Sequence, residues 1–354
     1  MKSVVLDKIA SVTRSCGLKR EIRVSSEIPC EEGVVVAVRI LTDKRAYDQL
    51  ELPSGRLARV KKGDVVAGAL GHRDAVFGYA GRIPESLAPG DRIQMLNMGG
   101  VLGVCEGYSP AVGPPFECEV IGSVLHFPIL GERIGVPARV GGEKLEAEPV
   151  LETKGVPVVA MVGTCMSAGK TAAACALVRA FTHGGMRIHA FKATGVSLRR
   201  DVLAMEDAGA VETAIFTDLG IVTTTDGKAP AITRTLLTRL CEGSPDAIVV
   251  ELGDGLLGTY GVKAILGDSG IRDSFTAVVL AANDPTAAWG GVRILRDEYG
   301  IEPTAVTGPA TDNRAGSSIL EKSLDVTAYN ARTEIDELSA HVREAIGRGA
   351  EVRG

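Results

Sequence analysis

The stretch from Val156 to Phe181 constrains this chain more than any other. An apolar run, Val156-Pro157-Val158-Val159-Ala160-Met161-Val162, is followed by Gly163-Thr164-Cys165-Met166-Ser167-Ala168-Gly169-Lys170-Thr171 and then by an alanine-rich segment that reads as a helix. Strand, glycine-bounded loop and helix stand in that order. In a loop of this kind consecutive backbone N–H groups and the positive end of the helix surround phosphate oxygens, a lysine reaches the β/γ oxygens, and the hydroxyl after it ligates Mg²⁺. Lys170 and Thr171 hold those two places, and Gly163 to Thr171 are the expected nucleotide-binding residues. Five residues separate Gly163 from Gly169, one more than the usual spacing. The alternative is a glycine-rich strand-to-helix turn that binds nothing.

The rhythm around this loop predicts an α/β fold. Strand-sized apolar runs at Val156–Val162, Arg187–Phe191, Ala247–Val250, Ala277–Ala282 and Thr304–Val306 alternate with helix-length segments. That alternation predicts a mostly parallel sheet covered on both faces by helices, with any ligand at the carboxyl ends of the strands. Before it, from about Glu31 to Val140, the runs are short, rich in valine and isoleucine, and punctuated by turns such as Lys62-Gly63-Asp64, Pro89-Gly90-Asp91 and Met98-Gly99-Gly100. This pattern predicts a small β barrel or sandwich. The expected organisation is therefore a β-rich domain over 1–140, a linker over 141–155 and a P-loop nucleotide-binding domain over 156–354.

The longer loop spacing is also where a family resemblance lies. Gly163-Thr164 with Gly169-Lys170-Thr171 resembles the phosphate loop of dethiobiotin synthetase and of the related cobyrinic acid a,c-diamide synthases. Downstream, Phe191-Lys192-Ala193-Thr194-Gly195 resembles the Lys-Pro-Val-x-Ser-Gly stretch of dethiobiotin synthetase. Asp201-Val202-Leu203-Ala204-Met205-Glu206 resembles its Asp-Ala-Leu-x-Leu-Gln helix start, and Ile248 to Gly255 resembles the strand ending in Glu-Gly-Ala-Gly-Gly. The resemblance covers roughly 156–310 and does not reach the β-rich region. It differs at the residue after Lys192 and at those after Glu251. It implies ATP and Mg²⁺ as cofactors and a metal ligand at Glu251.

Mg²⁺ on a nucleotide needs a hydroxyl and one or two carboxylates, phosphates and waters completing the shell. Thr171, Asp201 and Glu251 are the candidates. The alternative for Asp201 is a helix N-cap or first-turn acid. Glu251, directly after Ile248-Val249-Val250, would be costly to bury without a cation. Lys192, at another strand end, is a candidate catalytic residue beside Lys170, holding a γ-phosphate or an anionic substrate; otherwise it is a solvated rim lysine. Arg199 and Arg200 add positive potential beside the site or form an exposed pair. Gly195, Asp254 and Gly255 are candidate substrate contacts, with a plain turn as the alternative for Asp254. Asn283-Asp284-Pro285 reads as a helix cap, and Thr307-Gly308-Pro309 closes the strand where this class reads the base. Cys165 either faces the phosphates or packs beneath the loop.

Composition closes several other routes. No run in the 354 residues approaches the ~18 apolar residues of a membrane helix. Asp7 and Lys8 interrupt the opening segment too early for a secretory signal, so a cytoplasmic protein is expected. A net charge of −5 and 4% aromatic residues leave neither the positive surplus nor the stacking platforms that nucleic acid requires. Seven cysteines without a C-x-x-C pair argue against a disulfide framework or structural zinc. Five scattered histidines and the lack of a nucleophile elbow give no support to a hydrolytic triad. The expected partner is a small molecule bearing a carboxylate or amine, in a homodimer or higher homo-oligomer. Three activities fit: an ATP-dependent ligase that phosphorylates a carboxylate or carbamate, a small-molecule kinase, and a non-catalytic nucleotide-dependent switch or assembly factor.

Overall fold

The computed structural model describes residues 1–129, 134–142 and 145–353. The expected linker at 141–155 lies partly outside them. The chain forms two compact units. The first is Met1–Lys144 together with Val196–Arg200 and Phe216–Thr223; the second is Leu145–Gly195, Asp201–Ile215 and Thr224–Gly354.

The first unit is β-rich. Strand Phe116–His126 pairs antiparallel with Val35–Ile40, which pairs antiparallel with Val65–Leu70. Val65–Leu70 pairs parallel with Val101–Tyr108, and Arg92–Met95 joins Val101–Tyr108 back to Phe116–His126. The pairings thus close a five-stranded ring, a barrel rather than a sandwich. Closure removes free strand edges and leaves one enclosed interior. Val35, Val36, Val38, Val66, Leu70, Ile93, Val101 and Leu102, all buried, belong to the hydrophobic core of this unit. Two strands ahead of the valine-rich runs, Lys2–Val5 and Glu21–Ser25, pair with each other, and the second also pairs with Phe116–His126. In Glu21–Ser25 the exposed Glu21 and Arg23 alternate with the buried Ile22 and Val24, and Lys2–Val5 buries no residue fully, so neither stands out as an apolar run.

The second unit is a six-stranded sheet, every described pairing in it parallel. Its strands are β1 (Val158–Gly163), β2 (Ile188–Lys192), β3 (Glu212–Ile215), β4 (Ala247–Glu251), β5 (Phe275–Ala281) and β6 (Ala305–Thr307), in the order β3-β2-β4-β1-β5-β6. The expected α/β architecture is present. β1, β2 and β4 are buried along their whole length, as a sheet covered on both faces requires. The one strand without an apolar signature is β3, at the sheet edge, where Glu212 is exposed, Thr213 half-buried and only Ala214 and Ile215 buried.

Helices follow the strands. α1 (Lys170–His183) buries Ala173, Ala174, Leu177, Val178 and Phe181 along one face, the spacing of a helix lying on a core. α2 (Arg200–Asp207) is short, α3 (Ala229–Glu242) carries proline in its first turn, and α4 (Val262–Gly267) and α5 (Ser269–Arg272) follow β4. α6 (Pro285–Tyr299) is capped by Asp284, whose carboxylate accepts the Ala287 N–H at 2.9 Å with Pro285 at the first helical position. Asn283-Asp284-Pro285 is therefore a helix start, as its residue types predict. α7 (Arg314–Leu324) is capped by Asn313, and α8 (Ile335–Arg353) closes the unit. Among the described residues no helix is long and apolar enough to cross a membrane.

Candidate functional site

The site gathers at the carboxyl ends of β1, β2 and β4, three neighbouring strands. Their register explains it. On the parallel pair β2/β4, Lys192 is the partner of Glu251, and on β1/β4, Glu251 is the partner of Met161, two residues before Gly163. Partners on adjacent strands share a face, so the strand-end charges converge where the loop begins.

The loop leaves β1 at Gly163 and enters α1 at Lys170. Ser167 (φ 60°) and Gly169 (φ 99°) both have left-handed backbone. Such turns direct successive N–H groups into one concavity, and at Gly169 only the lack of a Cβ makes the conformation cheap. The Thr164 N–H donates to the Ala281 carbonyl (3.0 Å) and the Leu256 N–H to the Gly163 carbonyl (2.9 Å), so β5 and the segment after β4 hold the loop's base. Thr164 Oγ1 is buried and, among the described residues, has no hydrogen-bond partner.

Lys170 is buried, and its ammonium donates to the carbonyls of Cys165 (2.8 Å) and Asp254. Burial pulls its pKa down; Glu251 opposes the shift and Lys192 adds to it. The ammonium stands inside the loop on neutral oxygens, which an anion's oxygens can replace. Cys165 Sγ donates to the Met166 carbonyl (3.1 Å) and accepts from Asn283 Nδ2 (2.9 Å). It is half-buried in the loop itself, tied to the residue before the α6 cap.

Lys192, Asp201 and Glu251 form a buried cluster. Lys192 Nζ ion-pairs with Asp201 Oδ2 and lies 4.0 Å from Glu251 Oε1. The rim-lysine alternative fails, since Lys192 is 9% exposed. Asp201 stands in the first turn of α2. Glu251 Oε1 accepts the Thr171 hydroxyl at 3.1 Å, while Oε2 is buried and, among the described residues, without a partner. Burial raises the Glu251 pKa; Lys192 lowers it again and Asp201 adds to the rise.

These donors fit a hard cation. No cluster of three or more acidic, histidine or cysteine ligands occurs among the described residues. The set is instead one hydroxyl, one carboxylate with an orphaned oxygen and a second acid nearby. Mg²⁺ characteristically takes one or two carboxylates and completes its shell with phosphates and water.

The candidate substrate contacts are placed less openly. Gly195 donates its N–H to Thr224 Oγ1 (2.8 Å) and accepts from the Thr224 N–H (3.0 Å). Asp254 takes a left-handed turn (φ 74°), presents its carbonyl to Lys170, and has its carboxyl pKa raised by burial against the pull of Lys170. The Gly255 carbonyl accepts the Gly258 N–H at 2.9 Å, and a Cβ on Gly255 would meet the Thr164 carbonyl oxygen at 2.6 Å. Gly255 thus lets the segment after β4 approach the phosphate loop.

Arg199 and Arg200 belong to the first unit, where their backbone N–H groups donate to Glu51. A cavity of about 90 Å³ is lined by Ser167, Ala172, Pro309, Asp312, Asn330 and Arg332 among others. Thr307-Gly308-Pro309 leads into it. Asn330, buried, donates to Asp312 Oδ1 (3.0 Å) and accepts the Arg332 N–H (2.9 Å). Neither Asn330 nor Asp312 stands beside an apolar run, so no sequence signal marks them. Asn283 was legible only as part of a cap.

No family model matches the chain, and no curated protein matches it. Similar solved structures include the signal recognition particle receptor FtsY of Elizabethkingia anophelis, with 17% identity over 56% of this chain and 67% of that one, at a TM-score of 0.39. A nucleotide-binding protein in complex with ADP from Archaeoglobus fulgidus shares 10% identity over 56% of this chain and 88% of that one, TM-score 0.38. The hydrogenase maturation factor HypB of the same organism shares 12% over 54% and 91%, TM-score 0.35. The chain spans 59% of the length of the GDP-bound form of that FtsY. At these values the site stands on its own geometry, a P-loop NTPase-like arrangement of strand, loop and helix.

Proposed function

We propose that the second unit binds Mg²⁺-ATP and that the chain is an enzyme which uses it to activate a carboxylate or carbamate of a small molecule. One observation carries the reading. A buried carboxylate, Glu251, holds the Thr171 hydroxyl with one oxygen and leaves the other unpartnered, beside two buried lysines at the mouth of a left-handed glycine loop. A buried acid with a spare oxygen is costly unless a cation completes it, and buried ammonium groups suit developing phosphoryl charge.

In this reading the loop N–H groups and Lys170 hold the phosphates, with Lys170 exchanging its two carbonyl acceptors for β/γ oxygens. Thr171, Glu251 and, by release from Lys192, Asp201 would hold Mg²⁺, which supplies neutralisation of phosphate charge when bound. The freed Lys192 steadies the anionic acceptor or the transferring group. The acceptor oxygen forms a bond to the γ-phosphorus as ADP departs, giving a mixed anhydride; an amine then attacks the carbonyl carbon and phosphate leaves. The cavity beside Asn330 and Asp312 suits the base. The acceptor class rests on the resemblance to dethiobiotin synthetase, and a kinase would stop after the first step.

A nucleotide-dependent switch is a second reading, favoured by the membership of Val196–Arg200 and Phe216–Thr223 in the first unit, since these segments follow β2 and β3 directly. Binding of a fluorescent ATP analogue with and without Mg²⁺, followed by a screen of amino-carboxylates for stimulated turnover, tests all three. ADP with free phosphate supports the ligase, a phosphorylated product the kinase, and binding without stimulation the switch. Absence of nucleotide binding overturns the reading.

A further inference from the structure

The segments Val196–Arg200 and Phe216–Thr223 leave the sheet after β2 and β3, yet both belong to the first unit. They are laced to each other. The Ser197 N–H donates to the Val222 carbonyl (2.8 Å), the Thr217 hydroxyl to Ser197 Oγ (3.0 Å), and Val196 bridges Thr223. Three side chains of the β-rich unit hold the pair. Asn97 Nδ2 donates to the Ser197 carbonyl (2.8 Å) while its Oδ1 accepts the Val101 N–H (3.0 Å). Glu32 Oε1 accepts the N–H groups of Val222 (3.1 Å) and Thr223 (2.9 Å).

The third is Glu51, at the end of the short strand Gln49–Glu51 and fully buried. Its Oε1 accepts the Arg199 N–H at 2.8 Å and its Oε2 the Arg200 N–H at 2.7 Å. Arg200 is the first residue of α2, and a helix cannot satisfy its first N–H groups internally. A cap is ordinarily a side chain just ahead of the helix. Here the nearest hydroxyl, Ser197, is engaged by Thr217, and the cap comes from a carboxylate 149 residues earlier. Its charge suits the positive end of the helix.

The next residue is Asp201, whose carboxylate pairs with Lys192. We propose that Glu51 is a positioning residue for Asp201: by holding the Arg199 and Arg200 N–H groups it sets where α2 begins, and so where the Asp201 carboxylate stands relative to Lys192. Were α2 to begin one residue later, Asp201 would become its cap residue and lose its helical backbone angles, which redirects the carboxylate away from Lys192. The expected effect on Mg²⁺ rests on the nucleotide reading above; the effect on the Lys192–Asp201 pair does not.

The test is Glu51→Gln in the full chain. The amide keeps the shape and one acceptor but turns an NH₂ toward one of the two N–H groups. Without ligand, hydrogen exchange at 199–202 rises about tenfold, the scale of a lost cap, while β4 is unchanged, and the ¹⁵N resonance of the Lys192 ammonium shifts. With ATP, the half-saturating Mg²⁺ concentration rises several-fold, and in an Asp201→Asn background Glu51→Gln adds nothing further. Should Glu51→Gln not fold, Asn97→Asp, which removes the donor to Ser197 and keeps the acceptor for Val101, is expected to speed exchange over the same residues and shift the same resonance. Unchanged exchange at 199–202 with an unmoved Lys192 resonance, or the same Mg²⁺ shift with and without Asp201, overturns the proposal. A wild-type chain that binds no Mg²⁺-ATP overturns the functional reading alone, and the ligand-free measurements still decide the role of Glu51.

Discussion

Lys192 and Glu251 are register partners on adjacent parallel strands, and their charged atoms stand 4.0 Å apart with almost no exposed surface. Lys192 is nearer to Asp201, so Glu251 carries an incompletely compensated charge. Its raised pKa follows from that burial.

The first prediction is the pH dependence of the ligand-free protein. An acid whose folded pKa is raised holds its proton more tightly when folded than when unfolded. Its contribution to stability is therefore complete below the ordinary glutamate pKa of about 4.3 and is lost as pH rises through the raised folded value. Glu251→Gln has no such proton to lose. The melting temperature of the wild type is expected to fall relative to that of Glu251→Gln as pH climbs through this window. Parallel curves would show that burial of Glu251 carries no such cost.

With ligand the same variant behaves differently. The amide keeps the shape and one oxygen but not the charge that attracts a cation. Nucleotide affinity is expected to survive better than turnover, and the Mg²⁺ needed for half-maximal turnover to rise. Asp201→Asn is expected to act in the same direction. Wild-type Mg²⁺ dependence in both would move the metal elsewhere.

Lys170→Ala removes an ammonium from inside the loop. Turnover is expected to fall by roughly 10²–10³-fold, the scale for one preorganised donor, and triphosphate binding to weaken more than diphosphate binding. Isothermal titration with ATP and ADP, alongside circular dichroism to confirm folding, checks this. Unchanged turnover would remove the phosphate-loop assignment.

Cys165 is expected to be the most readily alkylated thiol. Burial pushes Cys16 and Cys241 up to about 11 and Cys175 up to about 12, and raises Cys30, Cys105 and Cys118 as well, so little reactive thiolate forms at any of them. Mg²⁺-ATP is expected to slow labelling at Cys165 and leave Cys16 and Cys241 unaffected. Mass-spectrometric mapping decides, and equal labelling of Cys165 in both states would mean that it does not face the phosphates.

Ala172→Trp fills the cavity beside Asn330 from the exposed face of α1. ATP affinity is expected to drop about tenfold or more, as loss of a buried base contact implies, while inorganic tripolyphosphate binds as before. Competition titrations measure both, and an equal loss for the two ligands would place the base elsewhere.

Much of the second unit was legible because its signals are local. The strand, the glycine loop and the helix start lie within one continuous stretch, so Lys170 and Thr171 could be placed by spacing alone. Glu251 and Lys192 announced themselves as charges ending apolar runs. The cap at Asp284 followed from three consecutive residue types. The valine-rich segments before Val140 marked a β-rich region, since side chains on an enclosed sheet are apolar wherever they face the interior.

What the chain order could not show is which distant residues become neighbours. That Lys192 faces Glu251 depends on β2 and β4 lying side by side, a pairing of strands more than fifty residues apart in sequence that periodicity does not encode. β3 was hidden because only its last two residues, Ala214 and Ile215, are buried, too few to show as an apolar run. The ring of strands in the first unit closes through Arg92–Met95, whose two neighbours are known only once the sheet curls. Glu51 shows the limit most plainly. In sequence it is one acid among 44 acidic residues, and only the folded chain brings its carboxylate to the two backbone N–H groups that open α2. Local geometry determines what a short motif can bind, whereas the partners of a buried charge are chosen by long-range packing, which the tertiary structure alone decides.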